Sequence, residues 1–176
     1  MQAKYQRGAG LLEVLVALLL LAVAVLGFVA LQLRAVEGTI EGSNRIQAIN
    51  IARDLSEKIR MNDTSTAIAA YKTQLASQTN QAAAPSSDCY TVFCTPALKA
   101  AFDVNQAYKQ ASSAGMTLNM MTCPGTANGR QCIYVAWGKT DAADTTATDK
   151  HIACTTSSTS SFSYSDDSTC IVMEAY

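Results

Sequence analysis

Residues 7–31 read RGAGLLEVLVALLLLAVAVLGFVAL: one base, a small-residue step, one glutamate and then an unbroken apolar run. Residues 14–31 hold no charge in 18 positions, long enough for a helix to cross a bilayer. The preceding residues 1–8, MQAKYQRG, carry Lys4 and Arg7 and no acid. The positive-inside rule therefore places the N-terminus in the cytoplasm and the bulk of the chain outside. A secretory signal peptide has the same order of charge and apolarity. Its core, however, is about 7 to 15 residues long and closes on a small-residue cleavage site. Here the helical pattern continues past Leu31.

Glu13 is the informative residue of this stretch. A carboxylate inside an apolar segment costs about 2.5 to 3.5 kcal/mol and is seldom kept without a partner. Cleavage after Gly8 would create an α-amine at Ala9, largely protonated at neutral pH and one helical turn from Glu13. The alternative is a glutamate that snorkels to the interface.

Arg7-Gly8-Ala9-Gly10-Leu11-Leu12-Glu13 followed by an apolar helix resembles the processing site of the type IV prepilin family. The resemblance implies that a prepilin peptidase/N-methyltransferase cuts after Gly8 on the cytoplasmic face and methylates Ala9. It also implies that Glu13, fifth in the mature chain, drives assembly. Gly10 stands too close to Glu13 to be the cleavage glycine. One departure, Ala9 where a bulky apolar residue is usual, suggests a minor rather than a major subunit; the lack of the helix-bending proline common in the membrane half of major pilins is another departure.

Beyond Leu31, Val36, Ile40, Ile51, Leu55 and Ile59, with Ile46 and Ile49 beside them, recur at spacings of three and four, which marks an amphipathic helix. Glu41/Arg45, Arg53/Glu57 and Asp54/Lys58 are opposite charges four apart. No proline precedes Pro85, so residues 9–62 are expected to form one helix of roughly 80 Å. Gly27, Gly38 and Gly42 are its candidate bend points, or sites of close packing between helices. Residues 65–77 are expected to form a short helix with Ile68, Tyr71 and Leu75 on one face, and residues 78–88 a polar loop. Thr95-Pro96 opens a better helix, with Leu98, Phe102 and Asn105 or Tyr108 on its apolar side and Gly115 as its stop. Residues 116–121, 132–137 and 170–176 read as strands, and residues 151–154 as a weaker fourth. The order is that of an α+β domain: a long N-terminal helix, membrane-spanning and then amphipathic, on a small, mainly antiparallel head. That agrees with the type IV pilin-like architecture. The segments CTPALKAAFD, CIYVAWGK and CIVMEAY also resemble the heads of PilV-type minor pilins.

The cysteines at 89, 94, 123, 132, 154 and 170 all lie beyond the apolar helix, on the side where disulfides persist. Neighbouring pairs, Cys89–Cys94, Cys123–Cys132 and Cys154–Cys170, are favoured among 15 possibilities because each brackets a loop or hairpin. A two-residue turn at Asn128-Gly129 would set Cys132 opposite Gly125, so pairing with Cys123 requires a longer or bulged loop. Metal binding is not expected, since no Cys-x-x-Cys occurs and the only mixed pair is His151/Cys154. Asp141, Asp144 and Asp149 lack the glycine and closing glutamate of a calcium loop and read as a solvated acidic loop. Nine of the 11 residues from 155 to 165 are Ser or Thr, which reads as another solvated loop.

An enzyme is not expected either. The lone His151 has no flanking nucleophile motif and reads as a surface residue, and there is no P-loop, dinucleotide fingerprint or zincin motif. No cofactor is implied. With 49% hydrophobic and 15% charged residues the chain is not disordered. From Asp63 onward there are six bases and nine acids, a balance that argues against strong direct nucleic-acid binding. The expected organisation is a leader at 1–8, a transmembrane or filament-core helix at 9–31, its amphipathic continuation at 32–62 and a periplasmic or extracellular head at 63–176.

The resemblance implies an inner-membrane protein that later joins a type IV pilus with other minor pilins and the major pilin. Its outputs would be assembly, twitching motility, adhesion or DNA uptake. A minor pseudopilin of a type II secretion system and a tip-displayed adhesin or ligand-binding module are the competing readings.

Overall fold

The computed structural model describes residues 10–124, 126, 129–148, 150–158 and 162–175. Its first element is α1 (Leu11–Met61), 51 residues of helix. The chain divides into two units, Met1–Gly42 and Ser43–Tyr176. In the first unit the stretch of α1 over residues 14–31 is apolar on every face and covered on none: Leu18 is 61% exposed, Leu20 62% and Phe28 62%. The helix runs without interruption through Gly27, Gly38 and Gly42, where an added Cβ would meet no neighbour.

The second unit begins with the rest of α1. Its buried face is Ala48, Ile51, Ala52, Leu55, Ser56 and Ile59. The expected apolar stripe is therefore only partly right. Val36, Ile40 and Ile46 are exposed, and the small Ala48 and Ala52 do the close packing. Asp54 and Lys58 form their ion pair at 2.8 Å, while Glu57 takes Arg60 at 3.5 Å.

Three shorter helices follow. Thr64 caps α2 (Ser65–Leu75), accepting the Ala67 N–H, and buries Ala67, Tyr71 and Leu75. Residues 78–88 are not all loop, since Ser77 caps a short α3 (Gln78–Ala82) whose Gln81 donates to the Leu75 and Leu118 carbonyls. Thr95 caps α4 (Pro96–Ser113), with proline in its first turn. The buried face of α4 is Ala100, Val104, Ala107 and Ala111, with Phe102, Asp103 and Asn105, whereas Leu98 is exposed. Gly115 follows the helix at φ +67°, the left-handed geometry that a side chain resists.

The strands form two three-stranded sheets. The first has the order β1 (Met116–Thr122), β2 (Gln131–Trp137), β6 (Cys170–Glu174), antiparallel throughout, with Met121 opposite Cys132 and Val135 opposite Ile171. Central β2 is buried along its whole length. Ile133, Val135 and Trp137 face the helical core with Leu55, Tyr71 and Val104, while Tyr134 and Ala136 join a smaller core with Ala142 and four cysteines.

The second sheet is β3 (Thr140–Asp144), β4 (Ile152–Ser157), β5 (Phe162–Tyr164), with β3 and β4 parallel. Two expectations are corrected here. Asp141 and Asp144 belong to a strand rather than a solvated loop, and residues 155–157 and 162–164 are strand. The alternation was hidden because both acids are satisfied by neighbouring side chains. Asp141 accepts from the Thr148 N–H and hydroxyl and is bonded to His151, and Asp144 accepts from Thr155 and Ser157.

Candidate assembly site

Glu13 sits in the first turn of α1, where the Glu13 and Val14 N–H groups donate to the Gly10 carbonyl at 2.9 and 3.3 Å. An acid there faces the positive end of the helix dipole. Around it are Leu11, Leu12, Val14 and Leu15, all exposed. Such a surface is stable only against lipid or other apolar helices, and in either medium a lone carboxylate needs a cation. Among the described residues the nearest base in sequence is Arg34, 21 residues further on and about 32 Å along the helix. Any cation for Glu13 must therefore come from the residues before Gly10 or from another molecule. Gly8 and Ala9, the expected processing residues, lie outside the described residues, as do Lys4, Arg7 and Asp149.

The head is stapled by three disulfides: Cys89–Cys94, Cys123–Cys132 and Cys154–Cys170. The first closes the loop before α4. The second ties the end of β1 to β2, where the Cys123 N–H donates to the Arg130 carbonyl, so the hairpin loop is longer than two residues. Asn128 of the expected turn lies outside the described residues. The third joins β4 to β6 and so fastens the two sheets together.

Within the helical layer, Tyr71 and Asp103 are almost wholly buried. The Tyr71 hydroxyl donates to Asp103 Oδ2 at 2.8 Å, and Lys99 pairs with Asp103 Oδ1. Burial first, then the charge of Asp103 and the hydrogen bond to it, push the Tyr71 phenol well above its ordinary range. Sequence reading placed Tyr71 on a buried face but missed this pair, whose only signal was an acid, Asp103, beside an apolar stripe.

His151 is exposed, with Nδ1 2.6 Å from Asp141 Oδ1. Burial raises the Asp141 carboxyl, but the Thr148 N–H, His151 and the Thr148 hydroxyl outweigh it and hold the group below its ordinary value. These bonds strap the short connection between parallel β3 and β4. They gather no nucleophile, and among the described residues no three His, Cys, Asp or Glu side chains are grouped to hold a metal ion. Sequence reading also missed the surface between Cys89 and Cys94, where Tyr90, Val92 and Phe93 are exposed at 77%, 53% and 98%. The signal was available in CYTVFC, an apolar loop closed by its own cysteines.

A family model described as Tt1218-like, type IV pilin Tt1218, matches residues 30–105, from within α1 through α2 and α3 into α4. No curated protein and no solved structure gives a significant match. The family match, the exposed apolar helix and the disulfide-stapled α+β head support a type IV pilin family with a pilin-like fold. They support a structural subunit that assembles with other pilins, compatible with membrane anchoring.

Proposed function

We propose that this chain is a minor pilin of the PilV type. It is made as an inner-membrane precursor with leader 1–8 in the cytoplasm. A prepilin peptidase cuts it after Gly8 and methylates Ala9. Residues 9–31 hold it in the membrane, 32–62 continue the helix, and 63–176 form a periplasmic head. It then enters a type IV pilus with other minor pilins and the major pilin, where it helps start or cap the filament and so serves twitching motility, adhesion or DNA uptake.

One observation carries this reading: the inner half of α1 exposes apolar side chains on all faces, with Glu13 as its only acid before Glu37. A helix of that kind is built for lipid and then for a bundle of like helices. In the bundle the protonated Ala9 amine of a neighbouring chain meets Glu13, which converts an unfavourable buried charge into an attraction between subunits. The absence of a bulky residue at position 9 and of a proline in residues 10–31 supports a minor role.

Mass spectrometry of the protein from sheared surface pili tests the reading. The expected species begins at Ala9 with one added methyl group. Full-length protein, cleavage elsewhere, or absence from pili together with a secretion defect on deletion would contradict it, the last in favour of a type II secretion pseudopilin.

A further inference from the structure

The three disulfides of the head differ in what they hold and in how far solvent reaches them. Cys123, Cys132, Cys154 and Cys170 are at most 7% exposed, and their bonds close 9 and 16 residues around strands. Cys89 and Cys94 are only half-buried, and their bond closes 5 residues within one surface loop. That loop is also held by Asp88, whose side chain accepts the Tyr90 N–H and whose carbonyl accepts the N–H groups of Thr91 and Val92. Tyr90 adds an edge-on contact with Phe102, ring centroids 4.9 Å apart. Opening the Cys89–Cys94 bond therefore leaves both sheets and α4 in place and the two sulfurs near each other. An accessible disulfide of that kind exchanges with thiols, whereas buried ones resist reduction.

The two sulfurs stand in unlike surroundings. Cys94 lines a cleft of about 300 Å³ with Lys58, Met61, Phe93, Pro96 and Lys99. Asp103 is the one acid of that lining, and it is engaged by Lys99 and Tyr71. Lys58 pairs with Asp54 at 2.8 Å, outside the lining, so two ammonium groups face the cleft against one carboxylate. Cys94 also directly precedes Thr95, the cap of the 18-residue α4, whose positive end adds to this field. Cys89 does not line the cleft. Its Sγ lies 3.9 Å from the Ser87 carbonyl oxygen and 4.0 Å from that of Leu98, and Asp88 is its neighbour in the chain. As a thiol, Cys89 has two acceptors for its proton; as a thiolate it would face two oxygens of partial negative charge. A thiolate is thus favoured at Cys94 and disfavoured at Cys89.

We infer that Cys89–Cys94 is a thiol-exchange site whose ligand is a small thiol bearing a carboxylate. The cleft stands at the lower end of the roughly 300–1,000 Å³ typical of small-molecule sites. Met61, Phe93 and Pro96 offer apolar wall to the carbon skeleton, and Lys58 and Lys99 offer charge to the carboxylate. The ligand thiolate attacks Cys94 Sγ and forms a new S–S bond there. The Cys89–Cys94 bond breaks, its electron pair leaves on Cys89 Sγ, and that sulfur takes a proton from water. A second ligand thiolate attacks the ligand sulfur of the mixed disulfide and releases the Cys94 thiolate. In sum, two ligand thiols are oxidised to their disulfide and Cys89–Cys94 is reduced to the dithiol, and excess ligand disulfide drives the same steps in reverse. The inference rests on the head alone and not on the pilin reading.

The test uses the full-length chain in detergent, with glutathione as the anionic thiol and cysteamine as the cationic one. Under glutathione, alkylation and peptide mapping of the wild-type chain should find Cys89 and Cys94 reduced at least tenfold faster than the other four cysteines. Acid-quenched samples should carry the glutathione adduct on Cys94. With oxidised glutathione at neutral pH, the thiol left in Cys89→Ser should form a mixed disulfide at least tenfold faster than the thiol left in Cys94→Ser. Lys58→Gln should lower the ratio of the glutathione rate to the cysteamine rate by about threefold, a ratio from which the thiols' own reactivities cancel. Reduction of all three disulfides at one rate, an adduct on Cys89, equal reactivity of the two single thiols, or a rate ratio that Lys58→Gln leaves unchanged would each overturn the inference. The two wild-type measurements decide it even where a variant fails to fold.

Discussion

Replacing Tyr71 with Phe removes one hydroxyl from the middle of the helical layer. The ring stays, so packing in the core with Leu55 and Val104 is kept, and the loss is that of the hydroxyl's short hydrogen bond to Asp103 Oδ2 and its longer one, 3.4 Å, to the Lys58 carbonyl. That oxygen is then left without the phenol, while Oδ1 keeps Lys99. A hydrogen bond to a charged group is worth about 1.5–3 kcal/mol, and a buried acceptor left unpaired costs about as much as it gained. The expected destabilisation is therefore about 2 kcal/mol. For a cooperative unit the size of the head this lowers Tm by roughly 6–10 °C. Trp137 is the only tryptophan and is buried, so its fluorescence in the disulfide-intact, full-length protein reports head unfolding directly. Asp103→Asn combined with Tyr71→Phe should lose less than the two single changes added together, with a coupling of at least about 1 kcal/mol. Losses for Tyr71→Phe within about 0.5 kcal/mol of wild type, or full additivity in the double variant, would refute the assignment of this pair as a stabilising contact between α2 and α4.

The same phenol sets a pH dependence. Its folded value is raised, so above pH 10 the unfolded chain loses a proton that the folded chain keeps, and stability falls by about 1.4 kcal/mol per pH unit in that window. Urea titrations from pH 9 to 11 should show one proton less of that slope in Tyr71→Phe. Removing the staple between the sheets with Cys154→Ala and Cys170→Ala, a closure of 16 residues, should cost about 3 kcal/mol in the same fluorescence assay. Gly115→Ala should cost about 1 kcal/mol, since a Cβ there meets open space and only the backbone at φ +67° resists it, and Gly115→Asn should cost less.

The parts of the fold that the sequence disclosed are those where one local rule acts without competition. Proline-free length and apolar spacing define α1, Thr95-Pro96 and Gly115 bound α4, and the alternation of Ile133, Val135 and Trp137 against Tyr134 and Ala136 separates the two faces of β2. The failures have physical causes. On α4 size misleads: the close approach of helices selects Ala100, Ala107 and Ala111, and larger Leu98 stays outside. On β3 charge misleads, because Asp141 and Asp144 carry their own donors into a strand. On β5 composition misleads, since Phe162, Ser163 and Tyr164 pair with β4 inside a Ser/Thr-rich stretch. At the candidate site, Glu13 was legible because a charge in an apolar run is conspicuous. The Tyr71–Asp103 pair was not, because its partners come from helices 32 residues apart in sequence.

In the proposed function, Glu13 draws this subunit into a filament by meeting an amine of another chain. Glu13→Ala should still insert, since losing a carboxylate favours the membrane. It should still be cleaved after Gly8, since the peptidase reads the glycine. The decisive measurement is the amount of this protein in sheared pili from Glu13→Ala cells, relative to unaltered cells and normalised to the protein in membranes. A tenfold or greater loss at equal membrane abundance is the predicted result, whereas an unchanged ratio would mean that Glu13 only snorkels or pairs within its own helix, and the assembly role assigned to it would be wrong.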